Sequence, residues 1–147
     1  MRSVFQTRDD AMLLVARVVL GVIMCAHGAQ KVFGWFGGGG LDGTFAFFAG
    51  FGIPPALGVL AIAVEILGGP ALILGLLGRV AALGVVINML VAVFVVHGQF
   101  GFFMNWGNRQ AGEGIEFHLI AIALALALVV HGSGPLSLDR VLAGRRA

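Results

Sequence analysis

A small set of side chains in this sequence could move protons or hold a polar ligand, and nearly all of them stand in apolar surroundings. Glu65 interrupts the hydrophobic run 54–77, and Arg17 interrupts the run 11–26. A charge inside such a segment costs about 2.5–3.5 kcal/mol on insertion scales, so both are expected to face protein, water or ligand. His27, His97 and His118 are imidazoles able to donate to a carbonyl oxygen, and Glu65 and Glu116 are carboxyls able to relay protons. Lys31, Asn105 and the aromatic pair Trp35 and Trp106 add polar contacts and flat surface for a ring-shaped ligand. Arg17, Glu65 and Asn88 form the expected buried charge network, with Arg17 or Lys31 as the cation beside Glu65 and Asn88 as a hydrogen-bond donor. The structural alternative is that this network only sets helix register.

The elements that must position these groups follow from composition. With 59% hydrophobic residues and 11% charged, the 147-residue chain has too little polar surface for a soluble domain. Four windows reach the about 20 apolar residues that a helical span requires: roughly 11–32, 54–77, 79–98 and 115–132. The fold class is therefore all-α, a transmembrane antiparallel four-helix bundle forming one domain over 1–147. Any chemistry is expected within the bundle or on a partner. Arg2 and Arg8 precede a retained first helix rather than a cleaved signal, because Asp9, Asp10 and Arg17 interrupt the signal pattern.

Arg2, Arg8, Arg79, Arg140, Arg145 and Arg146 fall on one side of the predicted spans, against Lys31 and Arg109 on the other. That asymmetry puts both termini in the cytoplasm and His27, His97, Glu116 and His118 at the outer side. Helical spacing sets Arg17, Met24 and Lys31 on one face of the first helix, the predicted interior seam. Gly68-Gly69-Pro70 predicts a bend in the second helix just past Glu65. The run Gly37–Gly40 reads as a flexible connector, and Phe45–Phe51 as a short segment along the membrane surface.

The chain resembles the DoxX family of small four-helix membrane proteins. The resemblance rests on His27-Gly-x-x-Lys31-x-Phe33-Gly-Trp35-Phe36-Gly-Gly, on Gly52-Ile-Pro-Pro-Ala followed by Glu65 and Gly68-Gly69, and on the stretch His97–Asn105. Glu116-Phe117 and the tail ending in Asp139-Arg140 complete it, so it covers roughly residues 10–142. It implies redox chemistry at a membrane, since relatives are linked to thiosulfate:quinone oxidoreduction, to a membrane oxidoreductase assembly, and to quinone detoxification.

The residues and the resemblance together lead to one expectation. This is an inner-membrane subunit supporting quinone-linked redox chemistry, with a quinone-type pocket near the outer side. His27, Lys31, Trp35, His97, Asn105, Trp106 and His118 are the candidate ligand-binding residues, and Glu65 and Glu116 the candidate proton relay. Haem or a metal held by His27, His97 and His118 is a weaker fit, because the spacing matches no ligand motif. The alternative from another class is a structural adaptor that anchors a soluble redox enzyme, with the buried charges serving assembly. Expected partners are the bilayer, a lipophilic small molecule such as a quinone, and a soluble redox enzyme; a homo-oligomer is also open. Nucleic acid is excluded, since there is no dense basic patch with interleaved aromatics.

Overall fold

The computed structural model describes residues 4–144. Arg2, Arg145 and Arg146, which enter the charge asymmetry, lie outside the described residues. Helix α1 runs Ala11–Phe33 without a proline to interrupt it. The Asp10 carboxylate accepts from the Met12 N–H at its start, and Gly34 ends it in the left-handed conformation at φ 70°. Its buried stripe includes Leu13, Arg17, Leu20, Gly21, Met24 and Gly28, so the predicted seam through Arg17 and Met24 faces inward.

After α1 a 3-10 turn at Trp35–Gly37 leads to α2, Gly40–Gly50. Gly37 and Gly40 turn the chain at positive φ, so the glycine run is a shaped corner whose last member opens a helix. Thr44 and Phe48 face inward from α2, and the Thr44 hydroxyl donates to the Lys31 carbonyl.

Helices α3, Pro55–Ile66, and α4, Gly68–Leu74, form one apolar rod interrupted at Leu67, where φ widens to −100°. Pro70 has no N–H for the Ile66 carbonyl, and the flanking glycines let the helix deviate there. Helix α5 spans Gly78–Val91, continues through a π-helical turn at Ala92–His97, and closes in a 3-10 turn at Gly98–Phe100. Helix α6 spans Glu116–His131, and the short α7 spans Leu138–Gly144.

No strand occurs among the described residues. Ala11–Phe33, Pro55–Leu74 and Gly78–Phe100 have the length and hydropathy to cross a membrane. The fourth window does not reach that length, because α6 has only 16 residues, about 24 Å at 1.5 Å per residue. The chain from Gly101 to Ile115 is instead spent on a folded loop. Its ends pair through Ile115 N–H to Gly101 O at 3.1 Å and Glu116 N–H to Phe102 O at 2.9 Å.

Helix α1 packs on α3, α4 and α6, and α5 packs on α4 and α6. Leu20, Met24, Leu72, Val85, Ala125 and Leu128 meet in the centre. Glycines allow the closest approaches. A Cβ on Gly69 would lie 2.7 Å from Cys25 Sγ, and one on Gly28 would lie 3.0 Å from the Ile66 nitrogen. Small residues thus set the α1–α3/α4 register, as expected where lipid offers no hydrophobic drive between helices.

The described chain ends meet at one end of the molecule, called basal here. Arg17 reaches four backbone carbonyls there: Leu72 and Ile73, in the last turn of α4, and Pro135 and Leu136 before α7. Asp139 accepts from the Leu77 N–H at 2.7 Å, the Gly78 N–H at 2.9 Å and the Ser133 hydroxyl at 2.6 Å. Leu77 sits at φ 50°, a conformation unfavourable for a branched side chain, and the carboxylate holds it at the start of α5. Arg79 caps the end of α6 by donating to Val129 and Val130 carbonyls, and also reaches Gln6. These groups satisfy the orphaned termini that a helix end otherwise leaves.

Candidate functional site

The opposite, upper end holds a cavity of about 460 Å³. Glu65 projects into it from α3 and is 3% exposed. Lys31, in the last turn of α1, donates to Glu65 Oε2 at 2.7 Å, and Asn88 of α5 donates to Oε1 at 3.3 Å. Both carboxylate oxygens are therefore engaged, one by a cation and one by an amide. The expected network is corrected in one respect: Arg17 is not the partner of Glu65, because it is spent on carbonyls at the basal end. Fourteen residues of helix, about 21 Å, separate Arg17 from Lys31 along α1, so one carboxylate cannot reach both.

All three predicted outer histidines line this cavity. His27 stacks on Phe117 with ring centroids 5.5 Å apart. The His97 and His118 rings lie against each other, centroids 4.2 Å apart and planes tilted by 40°. His97 Nδ1 is 2.8 Å from the Glu113 carbonyl, which can only accept, so Nδ1 carries the proton and Nε2 is left free. The π-helical turn delivers His97 here: Gly98 N–H reaches back five residues to the Val93 carbonyl, widening the helix. Such turns recur at functional sites. His118 is buried, and its Nδ1 finds no partner at hydrogen-bond geometry.

Four predicted residues do not line the cavity. Trp35 and Trp106 are exposed, at 59% and 88%, so neither forms a ring-stacking wall in the chain as folded. Asn105 and Glu116 instead build the 101–115 loop. The Asn105 side chain accepts from the Arg109 and Gln110 N–H groups, and Glu116 accepts from the Met104 N–H. The aromatic surface comes from Phe47 and Phe48 of α2 and from Phe117.

Sequence reasoning offered Glu113 only as a metal ligand and Met104 only as packing, whereas both line the cavity from the folded loop, and it passed over Gly28, which brings Lys31 close to Glu65. The glycine signal was present seven residues from Gly21 on the buried face of α1. Nothing in the order of residues marks how a loop folds back. Among the described residues no group of three His, Cys, Asp or Glu side chains is arranged to hold a metal ion.

A helical protein with membrane-crossing apolar segments and a polar-floored cavity at one end is the class that this architecture defines. The DoxX family model matches residues 12–98, and the chain belongs to that family. Over 126 residues it is 27% identical to CatD of Bacillus subtilis (strain 168), which carries a provisional oxidoreductase name. That match covers 86% of this chain and 83% of CatD. It is also 27% identical over 139 residues to the inner membrane protein YqjF of Escherichia coli (strain K12), covering 91% and 94% of the two chains. No solved structure is significantly similar to it.

Proposed function

We propose that this protein is an inner-membrane, four-helix redox subunit that binds a quinone-type ligand in the upper cavity. The observation that carries the reading is the cavity itself. It is apolar over most of its wall, and its polar groups are confined to Lys31, Glu65, Asn88, the three histidines and Glu113. A quinone needs this combination: flat apolar contact for the ring, and donors for the two carbonyl oxygens. His27, His97, His118 and Lys31 supply the donors, and the Glu65 pair supplies an internal acid–base couple.

Quinone reduction consumes two electrons and two protons. In this reading the chain provides the ring site and the protons, and a soluble redox partner provides the electrons. The oxidoreductase name of CatD and the inner-membrane name of YqjF support the class and the location. The charge asymmetry supports cytoplasmic chain ends, with the cavity toward the outer side.

The test is titration of the detergent-purified protein with a short-chain benzoquinone, read by equilibrium binding, together with extraction of any co-purifying quinone. Binding to the native protein, weakened about tenfold or more in Glu65→Gln with helical content retained, supports the site. No binding to the native protein, together with recovery of a stable complex with a soluble enzyme, favours the adaptor reading.

A further inference from the structure

The cavity has a second geometric feature, on which its polar groups do not bear. Helices α3 and α5 touch where Gly84 faces Val64, a Cβ on Gly84 lying 3.3 Å from Val64 Cγ2. Above that point the wall between them consists of Leu57 and Leu60 from α3 and Ile87 and Val91 from α5. These residues line the cavity and are also open on the outside: Leu60 is 60% exposed and Ile87 56%. A side chain that does both is the whole thickness of the wall at that place, and its movement alone would open the cavity to the outside. Leu60 is about 8 Å along α3 from its first residue, and Ile87 lies near the middle of the Gly78–Phe100 span, so this thin wall is at hydrocarbon depth.

The upper side is lined differently. Phe47 and Phe48 of α2 form a roof, and α2 is seated tightly on the start of α3, where a Cβ on Gly58 would lie 2.8 Å from the Phe48 ring. Met104 and Glu113 complete the roof from the folded loop. A bulky apolar ligand thus meets aromatic and loop residues from the water side and only aliphatic side chains from the lipid side.

We infer that the cavity is a lateral-access site: its ligand enters from the bilayer between α3 and α5 and keeps a long apolar chain in that opening while its polar ring lies against Lys31, Glu65 and the histidines. The substrate class is therefore a polar-headed lipid with a single long chain, in preference to a soluble quinone or catechol. The inference rests on the quinone-type reading above and adds the route and the tail.

It is tested with two probes, ubiquinone-10 and the tail-less ring 2,3-dimethoxy-5-methylbenzoquinone, titrated against the native protein in detergent micelles. Leu60→Trp and Ile87→Trp fill the opening from its two rims, and Phe94→Trp, on an 83% exposed side chain outside the cavity, is the control. Each rim variant should weaken ubiquinone-10 by about tenfold or more while the ring alone changes by less than about twofold. Equal weakening of both probes in both rim variants overturns lateral access, as does unchanged binding of the tailed probe. Failure of the native protein to bind either probe overturns the quinone-type reading itself, which separates the two failures.

Discussion

The basal and upper ends of this molecule spend their polar groups in opposite ways. At the basal end Arg17 and Asp139 are each 1% exposed and are consumed by backbone partners: four carbonyls for the guanidinium, two N–H groups and a hydroxyl for the carboxylate. At the upper end Glu65 is nearly as buried, but its partners are the side chains of Lys31 and Asn88, and the group borders open space. A charge satisfied by backbone holds helix ends in place, and the one donor that Arg17 leaves unpartnered, its buried Nε, does not border the upper cavity. A charge satisfied by side chains beside a cavity can exchange those partners. Burial alone does not distinguish function from architecture; the identity of the partners does.

The sharpest way to break this comparison is at the basal end. Arg17→Leu or Asp139→Ala should destabilise the fold by about 3–5 kcal/mol, because each strands several buried backbone groups or a buried charge. Thermal melts in detergent should show the loss whether or not a quinone is present. A variant that folded normally would mean that the basal network is dispensable.

Next in size is the ion pair at the cavity. Removing one partner of Lys31–Glu65 leaves the other charge uncompensated, so Lys31→Met and Glu65→Gln should each lower stability, and the double variant should lose less than their sum. The coupling expected from a double-mutant cycle is about 0.5–3 kcal/mol, and a value near zero would mean that the pair is not formed.

Smaller again is the helix register. Gly28→Leu should push α1 from Ile66, cost about 1–3 kcal/mol, and lengthen the Lys31–Glu65 contact enough to weaken ligand binding in parallel. Stability lost without any change in binding would separate the register from the site.

Trp106→Ala, at an exposed side chain outside the cavity, should change stability by less than about 0.5 kcal/mol and leave quinone binding intact. Loss of binding would restore the aromatic wall expected from the sequence.

The smallest effect belongs to Asp9. The Arg140 guanidinium donates to both of its oxygens and holds its carboxyl below the ordinary carboxylate range. A depressed pKa stabilises the fold above the unfolded value, about 3.9, and that contribution disappears as pH falls through the folded value. Asp9→Asn should therefore flatten the acid limb of stability slightly and only at low salt, since the pair is exposed.

Much of the fold was legible because hydropathy in a membrane is a strong constraint. The positions of the first three spans, the bend after Glu65 and the inward face through Arg17 and Met24 all follow from residue type and helical spacing. Of the site, His27, Lys31, Glu65, Asn88, His97 and His118 were legible as polar residues in apolar runs, and all line one cavity. Trp35, Asn105, Trp106 and Glu116 were not placed by the same logic. They lie outside the regular helices or at a helix start, where backbone turns rather than periodicity decide direction.

By itself, then, the amino-acid order determined that apolar helices must form and that their few charges must turn away from lipid, since hydrocarbon solvates neither charge nor bare backbone. It could not determine which cation meets Glu65. Arg17 and Lys31 share one face of α1, and the choice depends on how far α1 slides along α3 and α4. Glycine contacts at Gly28 and Gly69 set that slide, and only the assembled helices reveal them. The thin aliphatic wall between α3 and α5 was decided in the same way, by where Gly84 lets the two helices touch and which side chains stand above that contact.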